Sequence, residues 1–194
     1  MEIDQIQTDF PLATAISALR TALVQFACWH EGMSVTEGLG GTVQNSIELY
    51  ANINRSILGD WTTSNFSAAA ELAVSKGFTS IKCAPFDDMN PDVSRSDNLA
   101  EARMRVERVA AVKTVVGPEV SVLVDCHGYL NVQSAVSISA EMENLDVGWF
   151  EEPLRPNVDA EGLSVVTDKV NLPVAGGETG YGVDFFQELV SCKV

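Results

Sequence analysis

Residues 120–125 read Val-Ser-Val-Leu-Val-Asp, a nearly unbroken apolar run that ends in a carboxylate. A short run of this kind fits a strand buried on both faces of a parallel sheet. The closing acid returns 26 residues later in Val147-Gly-Trp-Phe-Glu151, and 27 residues after that in Leu172-Pro-Val-Ala-Gly-Gly-Glu178. A period in the twenties with a strand in each unit suggests repeated βα units. In a parallel barrel the strand ends converge on one rim, so Asp125, Glu151 and Glu178 are expected to meet there. Converging oxygens with no cysteine or histidine cluster beside them suit a hard cation such as Mg²⁺. Taken singly, an acid at a strand end is more often a helix cap or a solvated group. Recurrence after three apolar runs is what favours a site. Strand side chains alternate, so Glu151 and Glu152 cannot both face the barrel axis, and alternation alone does not choose between them.

Working outward, residues 12–31 carry apolar side chains at helical spacing, with Pro11 suited to a first turn. Gly38, Gly40 and Gly41 mark a loop. A strand is expected over 47–53, a helix over 65–76 closed by Gly77, and a short strand at Ser80-Ile-Lys-Cys. A polar loop follows over 86–96. A helix then spans 97–116, capped by Asp97 or Asn98 and stopped by Gly117-Pro118. The remaining units are strand 120–125 with helix 131–143, strand 146–151 with helix 159–168, and strand 172–177 with helix 183–191. The order is one helix and then five βα units. The expected domains are a helical segment and loop over 1–46 and a partial (β/α)₈ barrel over 47–194. Such alternation builds a doubly wound sheet or a barrel. A whole barrel takes eight strands and about 250 residues. Five strands therefore lead us to expect a fragment whose open edges pair with other chains.

The formal net charge is −15, from 27 acidic and 12 basic residues. Nucleic acid and anionic membrane surfaces repel such a balance and are excluded as expected partners. No apolar stretch is expected to reach the length of a membrane span, and the start, Met-Glu-Ile-Asp-Gln, has no basic region or cleavage signature. Cys28, Cys83, Cys126 and Cys192 show no paired spacing, which reads as reduced buried thiols in a cytoplasmic protein.

Six short motifs together carry a resemblance. They are Leu39-Gly-Gly, Tyr50-Ala-Asn, Ile81-Lys82, Val124-Asp125-Cys-His127, Trp149-Phe-Glu151-Glu-Pro153 and Gly176-Gly-Glu178. This set resembles the enolase superfamily, nearest to its mandelate racemase and muconate-lactonizing subgroup. The resemblance implies a capping domain followed by a modified barrel. It also implies a Mg²⁺ held by acids ending the third, fourth and fifth strands, here Asp125, Glu151 and Glu178. On this resemblance Glu151, not Glu152, faces inward. Most of the capping domain and the last barrel strands are not in this sequence. Racemases of the subgroup carry Lys-x-Lys on the second strand, where this chain has Lys82-Cys-Ala84. The common third-strand Asp-x-Asn is here Asp125-Cys-His127, which resembles the acid-sugar dehydratases.

The chemistry implied is proton removal beside a carboxylate, followed by loss of water from a sugar acid or hydroxy acid. Superfamily sites combine Mg²⁺ with a Lys or His base. His127 shares strand parity with Asp125 and titrates in a range suited to giving or taking a proton. Lys82 is placed to bind or polarise a small-molecule carboxylate substrate. Asn52 and Asn54 end the first strand and are candidates for substrate contacts, with a turn role as the plainer reading. The rivals are a racemase or epimerase using Lys82, and a truncated half-barrel without activity. A homo-oligomer is expected once the barrel is complete. Gly176-Gly-Glu-Thr-Gly-Tyr-Gly lacks the Gly-Lys-Ser/Thr ending of a P-loop. His30 beside Trp29 reads as structural, and no Gly-x-Ser-x-Gly elbow is present.

Overall fold

The computed structural model describes residues 10–57, 59–90, 94–154 and 160–194. They divide into two compact units. One runs to Glu48 and includes Tyr181–Val183; the other comprises Leu49–Gly180 and Asp184–Val194.

The first unit is helical. α1 spans Phe10–His30. Against expectation, its Pro11–His30 stretch is long and apolar enough to cross a membrane by length and composition. Thr14, Ser17, Arg20, Thr21 and Gln25 break the run in the sequence, but apolar residues occupy every turn between them. α2, Val35–Gly38, forms where a loop was expected. A reciprocal cap accounts for it. The Ser34 hydroxyl accepts from the Glu37 N–H, and the Glu37 carboxylate accepts from the Ser34 N–H at 2.8 Å.

The second unit is α/β. Its elements are β1 Ala51–Asn52, a 3₁₀ turn Asn54–Ser56, α3 Thr63–Ser75, β2 Ser80–Cys83, α4 Arg95–Val116, β3 Ser121–Asp125, α5 Val132–Asn144, β4 Val147–Glu151, α6 Ala160–Thr167, β5 Val174–Ala175 and α7 Val183–Ser191. The five strands are parallel and lie in the order β1-β2-β3-β4-β5. Spatial order equals chain order, with none of the reversal that defines a doubly wound sheet. This is a partial wall of a TIM-type barrel.

One face of the sheet packs under the helices. Ile81, Cys83, Val122, Val124 and Phe150 join Phe66, Ala70, Val109, Val112, Ile138 and Met142 in one core. Alternation turns Lys82, Leu123, Asp125, Trp149 and Glu151 to the opposite, axial face. β4 keeps this parity only through a bulge. Val122 lies opposite Val147, yet Val124 lies opposite Phe150, so β4 carries an extra residue. Gly148 permits it, because a Cβ there would come within 2.9 Å of both Leu123 Cδ2 and Ser121 Oγ. Beyond the bulge, Asp125 pairs directly with Glu151.

Other expectations need correction. The strands expected over 47–53 and 172–177 are two residues each. β1 pairs only where β2 runs beside it, through Ala51 with Ile81 and Asn52 with Lys82, and β5 pairs only through Val174 and Ala175. The cap of α4 is Ser94, whose hydroxyl accepts from the Asp97 N–H, and not Asp97 or Asn98. Asn98 is buried and donates to the Tyr129 carbonyl at 2.9 Å.

The turn after β2 is fastened to α4. Asp88 accepts from Arg105 Nε at 2.6 Å and from both terminal nitrogens of Arg108 at 2.7 and 2.8 Å. The Arg108 guanidinium also lies 5.5 Å from the centre of the Phe66 ring. Arg108 first, and then Arg105, pull the Asp88 carboxyl down to about 2.

Two predictions follow from this packing. Phe150 is fully buried, so Phe150→Ala should cost about 3–5 kcal/mol in a urea melt; a loss within error of zero would contradict the core described here. Asp88 is depressed in the fold, so its contribution is complete above its ordinary value of 3.8 and is lost as pH falls toward about 2. The gap in thermal midpoint between parent and Asp88→Asn should therefore close over that window. A gap that stays constant through it would rule out the Arg105–Asp88–Arg108 clamp.

Candidate active site

The rim at the C-terminal ends of β2, β3 and β4 gathers most of the chemically capable side chains. Lys82 is only 8% exposed and points along the axial face. Its Nζ donates to Asp125 Oδ2 and to Glu151 Oε1, each at 2.9 Å. Two carboxylates paired in register on neighbouring strands repel one another, and the ammonium between them offsets that repulsion. Burial pulls the Lys82 pKa down, but the hydrogen bonds to Glu151 and Asp125 outweigh it and the net shift is upward. Lys82 is therefore a fixed positive charge. Asp125 is 2% exposed. Burial raises its pKa, and the hydrogen bonds from His127 and Lys82 reverse this to a net lowering.

Glu151 is also held from its far side, where Trp149 Nε1 donates to Oε2 at 3.0 Å. The Tyr50 ring meets Trp149 edge-on, with centroids 5.8 Å apart. Lys82 Nζ sits 5.2 Å from the centre of the same Tyr50 ring. An aromatic wall thus flanks the charged cluster on the axial face.

His127 follows β3 with φ +44°. A left-handed conformation is uncommon outside glycine, and here the Asp125 side chain supports it by accepting the His127 N–H at 3.1 Å. The turn brings the imidazole back over the rim. Nε2 lies 3.1 Å from Asp125 Oδ2, and Nδ1 lies 2.6 Å from Asp87 Oδ1. The hydrogen bonds to Asp125 and then Asp87 push the His127 pKa up to about 10. Asp87 was not singled out from the sequence. It shares a polar turn with Asp88, and nothing local separates the two. The fold does, because Arg105 and Arg108 engage Asp88 and leave Asp87 facing His127.

Glu178 follows β5 and is exposed. Its backbone N–H donates to the Glu152 carboxylate at 2.8 Å, which brings Glu178 to the loops beside Glu151. Among the described residues, no group of three or more His, Cys, Asp or Glu side chains is close enough to hold a metal ion. Asp125 and Glu151 come together around one cationic group; the Glu178 carboxylate does not join them. Even so, the donors at this rim are carboxylate oxygens, the kind a hard divalent cation prefers. The Lys82 ammonium demonstrates that Asp125 and Glu151 can share a positive charge.

The Asn54 side-chain amide is bonded to the backbone, in line with its turn role. Its Nδ2 donates to the Ala84 carbonyl and its Oδ1 accepts from the Ala84 N–H, both at 2.8 Å. Asn52 is exposed on β1 in register with Lys82. Cys83 and Cys126 are fully buried. Burial first, and then the Asp125 charge, push the Cys83 thiol up to about 12 and the Cys126 thiol up as well. Neither is poised as a thiolate.

Comparison with known proteins fits this geometry. Residues 65–194 match the family described as enolase C-terminal domain-like. The chain is 31% identical over 173 residues to D-gluconate dehydratase of Thermoproteus tenax, covering 89% of this chain and 33% of that protein. It is 31% identical over 182 residues to D-galactarolactone cycloisomerase of Agrobacterium fabrum, covering 92% and 43%. A solved enolase-superfamily structure from Salmonella Typhimurium superposes with a TM-score of 0.70 at 26% identity, over 81% of this chain and 43% of that one. A mandelate racemase/muconate lactonizing enzyme-like protein from Rubrobacter xylanophilus gives 0.68 at 29% identity, over 82% and 44%. The chain thus spans less than half the length of these relatives. With parallel strands in barrel order and acids at the rim of β3 and β4, the chain belongs to the enolase superfamily, in the C-terminal-domain family of the mandelate racemase and muconate-lactonizing type.

Proposed function

We propose that this chain contributes the acid-bearing strands of a Mg²⁺-dependent dehydratase acting on sugar acids. The reaction removes the proton beside the carboxylate of a 2,3-dihydroxy acid and expels the 3-hydroxyl as water. The resulting enol tautomerises to a 2-oxo-3-deoxy acid, so the net change is loss of one water. A divalent cation held by Asp125, Glu151 and Glu178 would stabilise the negative charge that develops on the enediolate oxygens.

The observation that carries the reading is His127 clamped between two carboxylates, Asp87 on Nδ1 and Asp125 on Nε2. Without metal that arrangement raises the ring's pKa, and a protonated imidazole at the rim can give its proton to a departing hydroxyl. Asp87 fixes the ring from the side away from Asp125. Lys82, charged and bonded to two carboxylates, suits electrostatic work beside the substrate carboxylate better than proton abstraction. This counts against a racemase that would use Lys82 as its base. D-Gluconate dehydratase among the relatives agrees in reaction type.

The direct test is to incubate protein carrying this chain with Mg²⁺ and a panel of five- and six-carbon aldonic and aldaric acids in D₂O. A 2-oxo-3-deoxy product in the NMR spectrum is expected. Deuterium entering at C2 without elimination would favour the racemase; neither product nor exchange across the panel would remove the proposal. With an accepted substrate, His127→Asn should lower kcat by ~10²–10⁴-fold while metal affinity changes little.

The protonation state has its own readout. The folded pKa of His127 is raised from 6.5 to about 10, so the stabilisation it brings is complete below 6.5 and is lost as pH rises through about 10. In metal-free protein, the His127 ring resonances should move only near that upper value, and Asp87→Asn should bring the transition down. A transition near 6.5 in the parent would exclude the clamped imidazolium.

A further inference from the structure

We infer that Glu152 is the positioning residue that holds Glu178 at the rim. The inference rests on reading Glu178 as a metal ligand.

Glu152 immediately follows Glu151 but takes no part in the axial cluster. Its φ of +41° swings the side chain off the strand's alternation, and the residue is only 6% exposed. No cation is bonded to it among the described residues. Instead Oε1 accepts the Glu178 N–H at 2.8 Å, and the Gly177 N–H also faces the carboxylate. Gly177, at φ +102°, makes the turn that presents those amides. The Glu152 backbone is tied on both sides too. Its N–H donates to the Ala175 carbonyl at 2.8 Å, and its carbonyl accepts the Gly128 N–H at 2.8 Å. One residue, next to Glu151 at the end of β4, therefore links the turn after β3 that carries His127 to the end of β5, which leads to Glu178.

A carboxylate taken out of water without a cationic partner is costly. An apolar residue would fill the same space without that cost. What an apolar residue would not supply is an acceptor for the amides of 177 and 178, and those amides set where the Glu178 side chain begins. Glu152 thus acts through Glu178, as residues supporting metal ligands do elsewhere.

The test titrates the 194-residue chain with Mn²⁺, counting free Mn²⁺ by EPR and following the fold by circular dichroism. The parent, Glu152→Gln, Glu152→Asp, Glu152→Leu, Glu178→Ala and the Glu152→Leu/Glu178→Ala double variant are compared. Glu152→Gln keeps an acceptor for the Glu178 N–H and should stay within about threefold of the parent, whereas Glu152→Leu and Glu152→Asp should weaken binding ~10–100-fold. The double variant should bind no worse than Glu178→Ala alone, because both changes act on one ligand. If Glu152→Leu does not fold, the shortened but still charged Glu152→Asp decides. Parent-like affinity in folded Glu152→Leu and Glu152→Asp, or losses that simply add in the double variant, would overturn this inference and leave Glu178 as a ligand. A parent chain that binds no Mn²⁺, or a Glu178→Ala variant that binds as well as the parent, would remove the metal reading of Glu178 and this inference with it.

Discussion

Parallel pairing in strict chain order is the constraint on which the site depends. Each strand enters the sheet from the same end, so each C-terminal end arrives at the same rim. Groups 40 residues or more apart in the chain, such as His127 and Asp87 or Lys82 and Glu151, can then touch. The rim is level only because β4 carries its bulge. Were β4 to run on from Val147 in regular alternation, with no bulge, Glu151 would face the helices. Gly148 makes that bulge possible by leaving room for Leu123 and Ser121. A backbone detail three residues before the end of β4 thus decides that Asp125 and Glu151 are neighbours.

Once they are neighbours, electrostatics organises the rest. Asp125 Oδ2 accepts from both Lys82 and His127, and Glu151 accepts from Lys82 and Trp149. Every cation in the cluster touches at least two acids or their aromatic neighbours. Any divalent cation drawn to the same oxygens would compete with Lys82 and His127 for them. The balance is fine because the groups are partly removed from water, where each charge weighs more than it would at the surface.

The loops that carry these groups are not loose. Asp88 fastens the turn bearing Asp87 to α4 through two arginines. Glu152 fastens the turns after three successive strands to one another. Behind them, Phe150, Val124 and Ile81 are packed without exposure. Functional groups on short turns, braced by a rigid sheet, can hold a geometry that longer loops would not.

The sequence alone determined a good deal. The βα order, the near-continuous strand at 120–125, the acids that end strands, and the candidacy of Lys82 and His127 are local signals: an apolar run, a turn, and a polar residue at its end. These are legible because they depend on residues next to one another. It did not determine partners. Asp87 and Asp88 are adjacent and chemically alike, and only α4 and His127 tell them apart. Asn54 lies at a strand end like a ligand, yet its amide is matched to the backbone of Ala84, 30 residues away. Alternation could not choose between Glu151 and Glu152, because the bulge that sets the parity of β4 is defined against β3. β1 and β5 pair over two residues each, fewer than their apolar runs offer, because pairing needs an aligned partner strand as well as an apolar run. Tertiary structure decided each of these for one reason: a side chain's role is fixed by what faces it, and what faces it comes from another part of the chain.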